Sequence, residues 1–288
     1  MKKLLLFTFI LFLSVVSFAS EYNNRTYLGI EGGYYSYREP HMEYPIRIHT
    51  DDKIGVSLEF ISRGVFAMVG FNEEDDKSFA AIDLRYVTGK TDYDGYLWNG
   101  DPHYAKGEKD WYGEGRITFG EVWDLGGVVE FWPYLGFGYR YLVNDGSKVD
   151  SSSYKRVSQY YYMPIGTKIY KSFGGFAISL TGEFDWLLYG EQASKLGNII
   201  PELESDYLYN SQTKGFGARF GVKVEIPLTQ KVGLFIEPYY RMWKIQNSRL
   251  ATSEVTQSGN TYHWWYGIPI IEPFNTTRER GIRAGIYF

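Results

Sequence analysis

The sequence predicts an all-β fold, an antiparallel up-and-down transmembrane β-barrel of ten strands, and three observations predict it. Polar and apolar residues alternate with period two along segment after segment, as in strands with one dry and one wet face. Aromatic residues make up 19% of the chain, with Tyr 27, Phe 19, Trp 8 and 32 Gly, yet mean hydropathy is only −0.31. Aromatic girdles and an apolar outer face around a polar lumen produce that mixture, and the alternation of short turns with long loops belongs to the same architecture.

The first element is not part of the barrel. Lys2 and Lys3 precede an uncharged apolar run from Leu4 to Val16, followed by the small residues Ser17 and Ala19. Residues 1–20 therefore read as a secretory signal peptide and 21–288 as one barrel domain. With 0 Cys the exported chain has no disulfide framework, and barrel closure has to supply its stability. Removing Lys2 and Lys3 leaves 28 basic against 34 acidic side chains, moving the formal charge from −4 to −6. That balance gives no attraction to nucleic acid.

The clearest strand is "FAISLTGEFDWLLY", where Phe176, Ile178, Leu180, Phe184 and Trp186 oppose Ser179, Thr181, Glu183 and Asp185. "FAAIDLRY", "YGEGRITFG" and "GFGARFGVKVEI" divide the same way. Further strands are predicted at 27–37, 54–60, 129–142, 156–170, 232–245 and 276–288. Short links at "VWDLGG", "YKSFGG" and "PLTQK" alternate with long ones at 90–108, 144–155, 191–213 and 248–275. Parity then allows one strand or three between the first strand and residues 77–89. One gives ten strands; three, using "YPIRIH", "IGVSLEF" and "VFAMVGF", give twelve. Ten is preferred because each of those three segments is short against the roughly 9 to 11 residues a tilted strand needs to cross. Pro133, Pro164 and Pro238 fall inside predicted strands, where each missing N–H should interrupt the ladder.

With the apolar faces toward lipid, the other faces line the lumen. The inward acids are Glu31, Asp83, Glu114, Glu130, Glu183, Asp185, Glu225 and Glu237; the inward bases are Arg85, Arg116, Arg140, Lys168, Arg219, Lys223, Arg241 and Arg283. A ten-stranded barrel is only slightly wider than one that side chains fill, so these charges are expected to pair across it. Two uses follow: a filled, rigid lumen or a narrow polar conduit for small solutes. A general porin would need roughly 16 to 18 strands.

The predicted loop "KTDYDGYLWNGDPHYAKGE" holds Asp92 with Asp94 and Asp101 with His103. Two such pairs resemble the spacing in omptins, ten-stranded outer-membrane proteases whose acids and histidine activate a water. The resemblance implies His103 with Asp101 as the base and Asp92 with Asp94 as its partner. Omptin pairs, however, come from opposite walls of the barrel, whereas all four residues here lie on one predicted loop, and Asp and Gly are ordinary turn formers. His41, His49, His103 and His263 are the only histidines. They show no HExxH spacing or close pair, so neither a metal site nor a cofactor is predicted. A lipid-hydrolase Ser/His/acid set cannot be assembled from the sequence either. The aromatic and acidic loop segments "ESDYLYN" and "NTYHWWYG" suit an extracellular ligand or the headgroup belt equally well.

"PYLGFGYRYL", "YYYMPIG" and the ending "EPFNTTRERGIRAGIYF" resemble segments of small porin-like outer-membrane β-barrel proteins of Gram-negative bacteria, most of them without assigned activity. The resemblance spans most of the mature chain. It implies an outer-membrane location, contact with membrane lipid and lipopolysaccharide, and insertion by the barrel assembly machinery; it carries no catalytic residue. In the last strand Ile282, Ala284, Ile286 and Phe288 face lipid while Arg283 and Tyr287 turn inward, and Tyr287 with Phe288 would form the assembly signal. An enzymatic role is less expected than a structural or surface-interaction one.

Overall fold

A computed structural model describes residues 25–39, 56–72, 78–96, 101–196, 207–251, 255–257, 260–262 and 271–288. The strands are β1 (Thr26–Glu39), β2 (Val56–Asn72), β3 (Ser78–Tyr96), β4 (Pro102–Glu121), β5 (Trp123–Leu125), β6 (Val129–Asp145), β7 (Lys155–Ser172), β8 (Ala177–Ser194), β9 (Leu208–Gln212), β10 (Gly215–Pro227), β11 (Gly233–Ile245), β12 (Val255–Gln257), β13 (Asn260–Tyr262) and β14 (Asn275–Tyr287). The short β5 continues β4 at its foot, and β9 leads into β10, so the wall has ten staves. All wall pairings are antiparallel, in the order β10-β11-β14-β1-β2-β3-β4-β6-β7-β8, and β8 pairs back onto β10 to close the ring. The pair β12–β13 is a separate small hairpin.

The alternation in the sequence becomes a dry outer face. Ile30 is 69% exposed, and Leu84, Phe119, Leu135, Phe220 and Ile282 are exposed with it. In water such a band would be untenable; against hydrocarbon it is the surface that a barrel requires. Tyr86, Trp111 and Tyr141 gather above it as an aromatic girdle, packed ring to ring at 5.8 and 5.6 Å. No described helix is long and apolar enough to cross a membrane.

Inside, tyrosines lie over glycines. Gly138 is the cross-strand partner of Tyr162, Gly166 of Tyr134, Gly190 of Tyr160, Gly233 of Tyr287 and Gly281 of Tyr239. A Cβ at Gly138 would stand 2.2 Å from the Tyr162 ring, and one at Gly233 2.3 Å from that of Tyr287. At these five positions the glycine leaves the room into which the opposite ring folds down.

The three prolines act as their chemistry requires. The β10–β11 ladder skips from Gly221↔Tyr239 to Val224↔Ile236 at Pro238, and the β6–β7 ladder from Leu135↔Ile165 to Gly138↔Tyr162 at Pro164. Pro133 marks the break between the pairings of β4 and β5 with β6.

Two sequence expectations need correction. From Val56 the predicted strand at 54–60 continues without a break into the stretch after it, as one strand of 17 residues, β2, with Ser62, Arg63 and Gly64 in mid-strand opposite Gly33, Gly32 and Glu31. "VFAMVGF" is therefore the lower half of that strand, while "YPIRIH" lies outside the described residues. The predicted loop at 90–108 is largely strand as well: β3 runs to Tyr96 and β4 begins at Pro102, with one bulge between Thr91 and Tyr93. Strands of 19 and 20 residues exceed the roughly 9 to 11 needed to cross, so this hairpin stands well clear of the lipid.

Candidate functional site

The lumen is crossed by a lattice of buried ion pairs. Arg85 of β3 is fully buried and reaches Glu31 of β1 at 2.6 Å, Glu279 of β14 at 2.9 Å and Glu114 of β4 at 3.9 Å. Glu279 also accepts from Arg140 at 2.9 Å and from the Tyr112 hydroxyl at 2.5 Å, with Arg241 at 3.9 Å. The Tyr112 ring lies between the Arg85 and Arg140 guanidinium groups, 4.8 and 4.4 Å from its centre. Arg283 completes this half through Glu31 at 3.1 Å.

Glu114 joins the second half. It takes two bonds from Arg219, at 2.6 and 2.9 Å, and one from the Tyr162 hydroxyl at 2.8 Å. Arg219 also holds Asp185 at 2.7 Å and Glu183 at 3.0 Å. Glu183 binds Arg116 at 2.5 Å, and Asp83 stands 3.8 Å from the same guanidinium. Such pairs span strands on opposite sides of the ring, so they tie the wall together through its centre.

Toward the foot the pairing turns aromatic. Lys168 sits 3.3 Å over the Trp132 ring and Lys223 4.2 Å over Tyr27, while Glu130 accepts from the Trp132 indole at 2.8 Å. Glu225 takes the Tyr27 hydroxyl and Arg25, both at 2.8 Å. Glu237 lies beneath Gly221, where an added Cβ would meet its carboxylate at 2.8 Å. All the acids and bases assigned to the lumen from the sequence lie on the inner side of the wall. Glu279, the acid with most partners in the upper half, was not among the sequence candidates, although it shares the parity of Arg283 on the same strand.

Above the lattice lies a cluster of buried rings: Trp243 stacks on Tyr160 at 6.0 Å and meets Tyr162 edge-on at 5.1 Å. Over it opens a polar cup. Asp110 accepts from Thr91 at 2.5 Å and from Asn144 at 2.6 Å, beside a cavity of about 20 Å³, room for one water. Arg156 of β7 binds Glu272 and, at 3.1 Å, Glu39, and the Tyr37 hydroxyl donates to Glu39 at 2.6 Å. Burial pushes the Glu272 carboxyl up to about 7; Arg156 opposes the shift and Glu39 adds to it.

The cup also settles where the four loop candidates lie. Asp92 and Asp94 face outward, where Asp92 accepts from the Tyr104 hydroxyl at 3.4 Å and the Gly107 N–H at 3.1 Å. His103 faces inward and is held by Asp150, not Asp101, with the Ser152 hydroxyl 3.3 Å away. Asp92 and Asp94 do not meet His103, because outward and inward positions alternate along β3 and β4. Asp150 and Ser152 both meet the same imidazole nitrogen, Nε2. A base that activates a serine needs its acid on the other nitrogen, so this cluster braces the loop at 146–154 and does not form a nucleophilic triad. Burial raises the Asp150 carboxyl, but bonds from the Ser152 N–H and hydroxyl and from His103 outweigh it and hold the group below its ordinary value. Among the described residues no group of three His, Cys, Asp or Glu side chains is arranged to hold a metal ion. His41, His49 and His263 lie outside the described residues.

No protein-family model and no curated protein matches the chain. Among solved structures it is similar to the outer membrane protease OmpT from Escherichia coli, with a TM-score of 0.60 at 7% identity over 92% of this chain and 96% of that one. Alignments to the β domain of the Bordetella autotransporter BrkA, TM-score 0.31 at 10% identity over 91% and 97%, and to a Pseudomonas aeruginosa FadL homologue, 0.26 at 7% over 92% and 89%, are too loose to carry weight. At 7% identity the likeness to OmpT is one of fold, and with the exposed apolar band it gives this chain the architecture of an outer-membrane β-barrel.

Proposed function

We propose that the protein is a non-conducting outer-membrane barrel that serves the envelope as a structural element and as a surface for interaction through its extracellular cup and loops. The observation that carries this is the lattice joining Glu31, Arg85, Glu279, Glu114, Arg219 and Glu183 across the bore. An open conduit would need water to pass guanidinium groups that are buried and held by two or more carboxylates each. Removing one partner of such a pair leaves a buried charge uncompensated, at about 3 to 5 kcal/mol, so the pairs resist being parted.

The cup gives the loops above it a rigid base, because Asn144 donates to the buried Glu108 and Asp110, and the buried Ser158 donates to Gln192. Membrane lipid surrounds the barrel, and the assembly machinery is the expected partner during insertion. Planar-bilayer recording tests the reading: well-folded protein should give no conductance steps, and regular steps from protein that shifts mobility on heating would overturn it.

A further inference from the structure

We propose that the loop at 146–154 is a latch on the rim of the cup, held shut while the carboxyl pair Glu108–Asp110 beneath it carries a proton and released when both carboxyls ionise. The inference goes beyond the closed lumen, and its failure would leave that reading untouched.

Glu108 and Asp110 stand on the inner face of β4, two residues and so about 7 Å apart along the strand, and each is 2% exposed. Both precede Trp111 of the girdle and lie above the apolar band. Buried acids are normally matched by a base, yet among the described residues no base makes an ion pair with either. One amide serves both: Asn144 of β6 donates to Asp110 at 2.6 Å and to Glu108 at 3.2 Å. Hydroxyls add one bond each, Thr91 to Asp110 at 2.5 Å and Ser153 to Glu108 at 3.3 Å. The charged and titratable groups around the pair are Tyr35 and Tyr37 of β1, Asp145 with Lys148, Asp150, and Arg156 of β7. Of the two bases, Lys148 is taken by Asp145, and Arg156 by Glu272 and Glu39.

The loop rests directly on this pair. A Cβ added at Gly146 would stand 2.5 Å from Oε1 of Glu108, and Ser153 bonds the same oxygen, so both ends of the loop are seated on one side chain. Between them the Val149 and Asp150 N–H groups turn back onto the Gly146 carbonyl, both at 3.0 Å, and Asp150 is pinned to His103. Thr91 and Asn144, in contrast, belong to paired strands, so the loop is the part that can yield.

Burial pushes the Asp110 carboxyl up to about 7 against the bonds from Thr91 and Asn144, and Glu108 adds to the rise. Burial raises Glu108 as well, opposed by Asn144 and Ser153, with Asp150 adding to it. Such a group favours the docked loop fully below the ordinary aspartate value of 3.8, and that contribution is lost as pH rises through about 7. Asp150, held below its ordinary value, has the opposite sign, and its contribution is lost as pH falls below 3.8. The loop is therefore tightest between those two limits. Above the upper one, two carboxylates share a single amide with no base to compensate them, and lifting the loop admits the water that relieves the repulsion.

The chain has 0 Cys, so Ser151→Cys, at an exposed loop position, carries a single nitroxide label. The full chain, folded in neutral detergent, is followed by electron paramagnetic resonance from pH 5 to pH 9. The label should become severalfold more mobile as pH rises, with its midpoint near 7. In the Glu108→Gln, Asp110→Asn double variant, whose amides stay uncharged, the label should remain as slow at pH 9 as at pH 5. Glu272→Gln should keep the full response. Equal mobility across the range in the parent protein overturns the proposal whether or not the double variant folds. A full response in the folded double variant assigns the motion to His103 and overturns it as well, and so does loss of the response in Glu272→Gln.

Discussion

Arg85 and Glu279 are separated by 194 positions in the chain, yet Nη2 of one lies 2.9 Å from Oε2 of the other at the centre of the lumen. Glu279 is the acceptor on which Arg85, Arg140 and the Tyr112 hydroxyl converge, so its charge compensates more than one buried base. Glu279→Gln should destabilise the barrel by about 3 to 5 kcal/mol, the cost of an uncompensated buried charge. Urea unfolding in detergent, followed by tryptophan fluorescence, gives the difference. The Arg85→Met, Glu279→Met pair should cost clearly less than the two single changes together, because residues in one network couple. Strict additivity would show that the lattice is not a unit.

The Tyr–Gly pairs make a separate prediction about packing. A methyl group at Gly138 would meet the Tyr162 ring at 2.2 Å and displace a hydroxyl that donates to Glu114. Gly138→Ala should therefore cost about 1 to 3 kcal/mol, the range for forcing extra volume into a packed interior. Gly182, with nothing within 4 Å of an added Cβ, is the control, and Gly182→Ala should be close to neutral. Equal effects at the two sites would mean that backbone preference matters here and the folded-down ring does not.

The contrast between these two glycines also shows what the sequence could convey. Where one face meets lipid and the other the lumen, the two demand opposite residues, so the alternation around Ile82, Leu84 and Asp83, Arg85 is legible directly. Above the girdle both faces are wet and the contrast disappears; Lys90, Asp92 and Asp94 outside are no more polar than Thr91, Glu108 and Asp110 inside. That stretch therefore read as a loop, and Asp92 and His103 read as neighbours when the pleat sends them to opposite sides of the wall. "IGVSLEF" and "VFAMVGF" count as separate segments for a related reason, since Ser62 and Gly64 between them are turn formers that carry the same signal inside a long strand. The pairing of His103 with Asp150 joins β4 to the loop after β6 and has no local signature at all.

Glu272 gives the cup a pH dependence. Its folded value, raised to about 7, stands above the ordinary carboxyl value of 4.5. Folding around it is therefore most favourable below about 4.5, and that contribution is lost as pH rises through about 7. The groups that face it are Glu39, Arg156, Tyr37 and Tyr154. The backbone amides of Glu272 and Phe274, bonded to Ser248 and Asn247, should exchange with solvent faster at pH 8 than at pH 5.5, after correction for intrinsic rates, and Glu272→Gln should flatten the difference. An unchanged pH response in that variant would assign the effect to another group.

The end of the chain supplies the last prediction. Phe288 is not frayed: its N–H donates to the Thr26 carbonyl at 3.0 Å, and its own carbonyl accepts the Thr26 N–H at 2.7 Å. It is thus the final rung of the β1–β14 seam, the pairing that removes both edges of the sheet, and Tyr287 beside it packs on Tyr27 and fills the space over Gly233. Deleting Phe288 removes two of the many bonds in that seam, a loss too small to unfold a finished barrel. If the terminal residues serve only closure, the deletion should leave yield and stability nearly unchanged. If they are also what the assembly machinery engages, the amount of inserted protein should fall severalfold in cells while the same variant refolds normally in detergent. The second outcome is expected, and equal amounts of heat-modifiable protein in the outer-membrane fraction of cells making either form would count against it.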